Sequence, residues 1–195
     1  MRVMKNKIKF NFKGLACEVP SECLRTTDYW GKPLETPYIV IGRKEVASIA
    51  KQFVKKNFPN LLVWASSETF ANGNSVSVYV CNPDGSDLGY ETSEWKSISS
   101  FVNALSGGKY NGYDDIYEYS DAFETDNGTK LESYAKYVHC NNYAPHGSWP
   151  SAVKCLKGLI AGEYVFGPLT LENAIVKAKG YGYSESNIEK ALKLV

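Results

Sequence analysis

A chain of 195 residues with 44 % hydrophobic and 22 % charged residues lies near the averages for soluble globular proteins, which excludes an intrinsically disordered segment. At this length about 70 % of the unfolded surface can be buried, so folding needs no disulfide or metal staple. The net charge of +1 carries no overall bias toward an anionic or cationic partner, and no window approaches the roughly 18 apolar residues of a membrane span.

Met1 to Lys5 is basic, but Lys7, Lys9, Asn11 and Lys13 follow where a signal peptide needs a continuous apolar run. The five cysteines, an odd number without secretory context, read as reduced thiols. A soluble, cytoplasmic protein is the expectation.

Ile8, Phe10 and Phe12 alternate with polar residues at the period of a half-buried strand. A long loop is expected next, marked by Pro20, Gly31, Pro33 and Pro37, and then a short apolar strand or helix lead-in, Tyr38 to Ile41. From Arg43 to Asn57, Val46, Ile49, Ala50, Phe53 and Val54 recur at helical spacing, and Phe58-Pro59 should end that helix. Strands are expected at Leu61 to Ser67 and Ser75 to Cys81, joined by a hairpin through Asn72-Gly73, with Val76, Val78 and Val80 inward. Asn82-Pro83-Asp84-Gly85 is a turn, and Ser93-Glu94-Trp95 opens a second amphipathic helix that Gly107-Gly108 closes.

Residues 109–147 are rich in tyrosine and acid and resist assignment. Ser148-Trp149-Pro150 then starts a third helix, with Val153, Leu156, Leu159 and Ile160 on its apolar face. Thr170 and Ser184 cap two short helices separated by Gly180-Tyr181-Gly182. The fold class this implies is α+β: a small antiparallel sheet flanked by amphipathic helices over residues 1–167, with a C-terminal helical hairpin over 168–195.

Charge is unevenly spread. Residues 1–60 carry 12 Lys/Arg against 5 Asp/Glu, residues 61–140 carry 4 against 12, and residues 141–195 carry 6 against 4. Such blocks arise on ordinary solvated faces, and they also make one-sign surfaces that steer oppositely charged partners. Only His139 and His146 offer imidazoles for acid–base work. Cys17, Cys23, His139, Cys140 and His146 lack the short ligand spacings of structural zinc sites. The run Asp114, Asp115, Glu118, Asp121, Glu124, Asp126 lacks the ligand order of an EF-hand, so neither metal nor cofactor is expected there.

Interleaved with Tyr113, Tyr117 and Tyr119, the carboxylates of Asp114, Asp115, Glu118 and Asp121 can instead imitate a nucleic-acid backbone and occupy a basic groove. An acidic solvated face with tyrosines on the core is the plain alternative. On the opposite sign, Lys5, Lys7, Lys9, Lys44, Lys51, Lys55 and Lys56 would form a nucleic-acid-binding patch if the first strand and the main helix lie side by side. The C-terminal hairpin is a poor helix-turn-helix, because its second helix sets Lys190 and Lys193 against Glu185 and Glu189.

Ala50, Lys55, Lys56, Phe58-Pro59, Val63, Ser66-Ser67, Gly73-Asn74-Ser75-Val76, Val78 and Tyr110 to Asp115 together resemble large polyvalent protein-associated domain family 29 over residues 46–117. The chain departs from that pattern at Cys81-Asn82-Pro83, where the family carries a Trp-x-Asp-Gly-Pro type of turn. The resemblance implies a phage or mobile-element setting and no catalytic residues. The resulting expectation is a non-enzymatic protein that binds and inhibits a host defence nuclease or its nucleoprotein complex, in the manner of an anti-CRISPR. The alternatives are a nucleic-acid-binding accessory protein and a hydrolase working through Asp114.

Overall fold

The computed structural model describes residues 6–71, 73–111, 116–119 and 123–195. In chain order the first strands are β1 (Lys7–Phe12), β2 (Leu15–Pro20), β3 (Leu24–Thr27) and β4 (Pro33–Ile41), followed by helix α1 (Arg43–Asn57). Then come β5 (Leu62–Phe70), β6 (Gly73–Cys81), α2 (Ser93–Asn103), β7 (Gly108–Asn111), β8 (Ile116–Tyr119), β9 (Phe123–Glu124), β10 (Lys130–Ser133) and β11 (Tyr137–Asn141). Three helices close the chain: α3 (Trp149–Ala161), α4 (Leu171–Gly180) and α5 (Glu185–Ala191). The architecture is α+β.

The expected loop after the first strand is instead a hairpin and two more strands. Leu15, Cys17 and Val19 alternate with exposed residues, so β2 pairs antiparallel with β1 and both drop their apolar side chains into one core. The two-residue turn puts Lys13 and Gly14 at φ 47° and 74°, and the carboxylate of Asp126 accepts a hydrogen bond from each of their N–H groups at 2.8 Å. Asp126 is therefore a clamp on the β1–β2 turn. Pro33 opens β4, and Pro37 falls opposite a register shift in β3, outside the stretch Ile39–Ile41 that pairs with β10. Neither proline removes a needed ladder donor, which is why a segment that reads as loop is strand.

Helix α1 has the bounds its periodicity predicts. Glu45 Oε2 accepts from the Gly42 N–H at 3.1 Å at its start, Lys55 and Lys56 lie in the last turn, and the chain leaves through Phe58-Pro59. Its buried stripe packs on β5 and β6, where Val76, Val78 and Val80 are fully buried, each worth about 1.5–3 kcal/mol by burial. Helix α2 joins through Phe101, which lies face to face on Phe53 with ring centroids 3.8 Å apart.

The sheet under these helices has the order β11-β6-β5, with the expected antiparallel β5–β6 hairpin extended by a parallel β11. Phe70 pairs with Gly73 to close that hairpin, and Asn72 of the expected turn lies outside the described residues. A second sheet, β3-β4-β10-β9, likewise contains one parallel pair, β4 with β10.

The last three helices enclose a separate apolar cluster. Ser148 caps α3, and Val153, Leu156 and Leu159 are buried against Ala174 and Ala178 of α4 and Ile188 and Ala191 of α5. The α4–α5 hairpin thus rests on α3. Asn142 ties the approach to α3 back to the main body: its side chain donates to the Leu88 carbonyl at 2.7 Å, and its own carbonyl accepts from the Leu88 N–H.

Candidate interaction surface

Strand alternation decides what the β11-β6-β5 sheet shows to solvent. With Val76, Val78 and Val80 turned toward α1, Ser75, Ser77 and Tyr79 point the other way. Their ladder partners share that face: Trp64, Ser66 and Glu68 on β5, and Tyr137, His139 and Asn141 on β11. Helix α1 covers the inner face, and the outer one carries an open aromatic row. Phe70 is 45 % exposed and stacks on Tyr137 at 6.0 Å, and the Tyr137 ring lies nearly parallel to that of His139 at 6.4 Å.

The β7–β8 ladder continues this face. The Tyr117 ring meets Tyr137 edge-on at 5.2 Å, its hydroxyl donates to the Lys136 carbonyl, and the Lys136 ammonium lies 4.9 Å from the Tyr117 ring centre. Asn74 holds the adjoining backbone, accepting from the Lys136 N–H at 3.0 Å and donating to the Tyr134 carbonyl at 2.9 Å. Two glycines permit the approach: a Cβ on Gly107 would fall 2.1 Å from the Ser133 carbonyl oxygen, and one on Gly108 would fall 2.2 Å from that of Glu118. Expected only as a helix stop, Gly107-Gly108 is where three backbone segments meet.

Of the acid–tyrosine set, Tyr117, Glu118 and Tyr119 are on β8, with Glu118 exposed opposite Lys109 and Tyr119 opposite Gly108. Tyr113, Asp114, Asp115 and Asp121 lie outside the described residues.

The lysines of α1 lie on the opposite side of the β11-β6-β5 sheet from its aromatic face. Lys44, Lys51 and Lys55 recur at i, i+7 and i+11 on α1, away from its buried stripe, and so face away from the sheet. The β2 strand packs beside α1, and a groove of about 890 Å³ runs between them, lined by Lys7, Lys9, Asn11, Ser48 and Gln52. Lys56 is near enough to influence the Cys17 thiol. Glu18 offsets part of this charge: it lies 2.9 Å from Lys7 and 3.6 Å from Lys9, and its hydrogen bond from Lys7 holds its carboxyl below the usual range. Lys5 lies outside the described residues.

A second concavity, about 390 Å³, sits between α3 and the α4–α5 hairpin and is lined by His146, Ser151, Lys154, Tyr164, Tyr181 and Tyr183. Ser151 Oγ shares a 2.8 Å hydrogen bond with the Tyr183 hydroxyl, whose own ionisation burial pushes up. His146, which lines the same concavity, packs against the Tyr183 ring with centroids 4.9 Å apart. Lys154 is paired with Asp87 at 2.9 Å. The thiols are equally quiet: burial pushes Cys17 up to about 11 and Cys81 and Cys140 up to about 12. Among the described residues, no three His, Cys, Asp or Glu side chains converge on a metal-sized site, and no helix is long and apolar enough to cross a membrane.

No protein-family model, no curated protein and no solved structure matches the chain.

Proposed function

We propose that this is a non-enzymatic, cytoplasmic protein of a phage or other mobile element. It binds a host defence nuclease of the nucleic-acid-guided, CRISPR kind, or its nucleoprotein complex, and blocks it. The observation that carries the reading is the packing of Tyr117 on Tyr137, which makes the acid-bearing β8 strand continuous with the open aromatic face. Aromatic side chains give large contact area at low entropy cost, and carboxylates beside them suit a basic nucleic-acid channel. In this reading Asp114, Asp115, Glu118 and Asp121 meet basic residues of the target, and Tyr113, Tyr117 and Tyr119 anchor the contact. The separation of the α1 lysines from this face supports a protein target over naked nucleic acid. The mobile-element setting rests on the resemblance of residues 46–117. The test is a pull-down of tagged protein from bacterial lysate with and without nuclease treatment. A stoichiometric defence nuclease that survives treatment is the expected result, and recovery only of nucleic acid, or of proteins lost on digestion, defeats the reading.

The groove between the β1–β2 hairpin and α1, lined by Lys7 and Lys9, favours a second reading, an accessory protein that binds nucleic acid through Lys5, Lys7, Lys9, Lys44, Lys51, Lys55 and Lys56. It predicts affinity for naked DNA or RNA that falls steeply with salt.

A further inference from the structure

Strand β5 is the outer strand of the β11-β6-β5 sheet, and its register with β6 runs unbroken over all 9 of its residues. Phe70 pairs with Gly73 across only two intervening residues, so these two exchange both ladder hydrogen bonds. Alternation then turns the N–H and C=O groups of Leu62, Trp64, Ser66, Glu68 and Phe70 toward β6, and those of Val63, Ala65, Ser67 and Thr69 away from it. Among the described residues none of these outward groups has a hydrogen-bond partner.

An unpaired edge templates further strands, and folded proteins blunt it by shortness, register breaks, proline or lysine. The other edges described here carry such devices. β3 shifts register between Arg25 and Thr27, β9 has 2 residues, β7 and β8 have 4 each, β11 has 5, β1 carries Lys7 and Lys9, and β2 ends at Pro20. β5 has no proline, glycine or lysine, and Glu68 is its only charge. The core is open on this side as well: Val76, Val78 and Val80 are fully buried, whereas their ladder partners Ser67, Ala65 and Val63 are only part-buried.

We propose that β5 pairs with β5 of a second copy of this chain, antiparallel about a two-fold axis through Ser66, joining the two sheets into one. In that register Val63 lies opposite Thr69 of the partner subunit, and Ala65 opposite Ser67 of the partner subunit. Every outward N–H and C=O then meets its complement, because the strand presents them in the order its own antiparallel image requires. A peptide of other sequence could satisfy the backbone, but the second copy also closes the core, setting Ala65 and Ser67 of both chains side by side on the inner face. On the outer face Leu62 falls opposite the partner's Phe70, covering a ring that is 45 % exposed, and Trp64 falls opposite the partner's Glu68. The two Glu68 side chains stand about 14 Å apart, beyond the screening length at physiological salt, so no like charges meet. The contact is isologous and closed, the commonest form of assembly, and it uses the edge of the sheet rather than its aromatic face.

Sedimentation equilibrium of the full-length protein alone tests this, so its outcome is separate from that of the inhibitor reading. The expected result is a dimer of the 21.7 kDa chain with a dissociation constant below about 10 μM. Ser66 is exposed and would face its own copy across the axis, so Ser66→Lys and Ser66→Glu should each weaken the dimer about fivefold. An equimolar mixture of the two variants should recover wild-type affinity. Ser67→Pro removes an outward donor and no bond to β6, and should leave a monomer that is folded by circular dichroism. In the unaltered protein, hydrogen exchange at the amides of Val63, Ala65, Ser67 and Thr69 should slow by about tenfold or more as concentration rises through the dissociation constant. A single-chain species up to about 100 μM overturns the proposal. So does a dimer that all three variants leave intact, or one in which those amides still exchange fast. Pairing of β5 in a monomeric chain with a strand of the captured nuclease overturns it too.

Discussion

The Tyr117 hydroxyl donates a hydrogen bond to the main-chain carbonyl of Lys136, fastening the β7–β8 ladder to the residue that precedes β11. That bond and the Tyr117–Tyr137 ring contact fix the β8 strand that carries Glu118. Tyr117→Phe keeps the ring and removes the bond. It is expected to lower stability by about 1 kcal/mol in urea titration, and to weaken target binding about fivefold because the strand is less firmly held.

Gly107→Ala is expected to be among the most disruptive methyl additions at the described glycines. The added Cβ would meet a carbonyl oxygen of β10 at 2.1 Å, and backbone there cannot swing aside as a side chain can. The loss should be about 3 kcal/mol in chemical denaturation, at the upper end for overpacking. Gly128→Ala is the contrast: its Cβ meets nothing within 4 Å, although φ 79° still imposes conformational strain.

The buried thiols give a pH dependence of stated sign. Burial first, then the nearby Asp126 and Asp87 carboxylates, raise Cys17 and Cys81 respectively, and burial alone raises Cys140. The unfolded thiols ionise near pH 8.5 and the folded ones only near 11 to 12, so the unfolded state loses protons first. Their contribution to stability is complete below about pH 8.5 and is lost progressively as pH rises toward the folded values. Urea midpoints between pH 7.5 and 9.5 should therefore fall. Ellman's reagent at pH 8 should react slowly with the native protein and reach all five thiols in guanidinium.

Glu18→Gln removes the carboxylate that Lys7 and Lys9 share. If the hairpin–α1 groove is not a nucleic-acid site, the wild-type protein binds a naked 20-base-pair duplex no more tightly than about 10 μM at physiological salt, and the variant gains only a few-fold. Submicromolar wild-type binding with a steep salt slope would favour the accessory-protein reading instead. Fluorescence anisotropy across a salt series distinguishes the two.

What the sequence reveals depends on how local the determining contacts are. Helix α1 was legible to the residue because its apolar spacing and the Phe58-Pro59 stop are both local signals. The β5–β6 hairpin was legible for the same reason, through Val76, Val78 and Val80. The β2 strand was hidden behind the proline and glycine of the segment around it, although Leu15, Cys17 and Val19 alternate plainly. The parallel pairings of β11 with β6 and of β10 with β4 join segments far apart in sequence, and no local pattern specifies them. The aromatic face follows from that pairing, since Tyr137 and His139 flank Ser75 and Ser77 only once the register is known.

The most direct measurement is the affinity of the purified protein for its purified, captured nuclease, compared between wild type and a variant carrying Asp114→Lys, Asp115→Lys, Glu118→Lys and Asp121→Lys. The account predicts a loss of at least about a hundredfold with the fold intact by circular dichroism, since like charges set against a basic groove repel. An affinity within about twofold of wild type would contradict it.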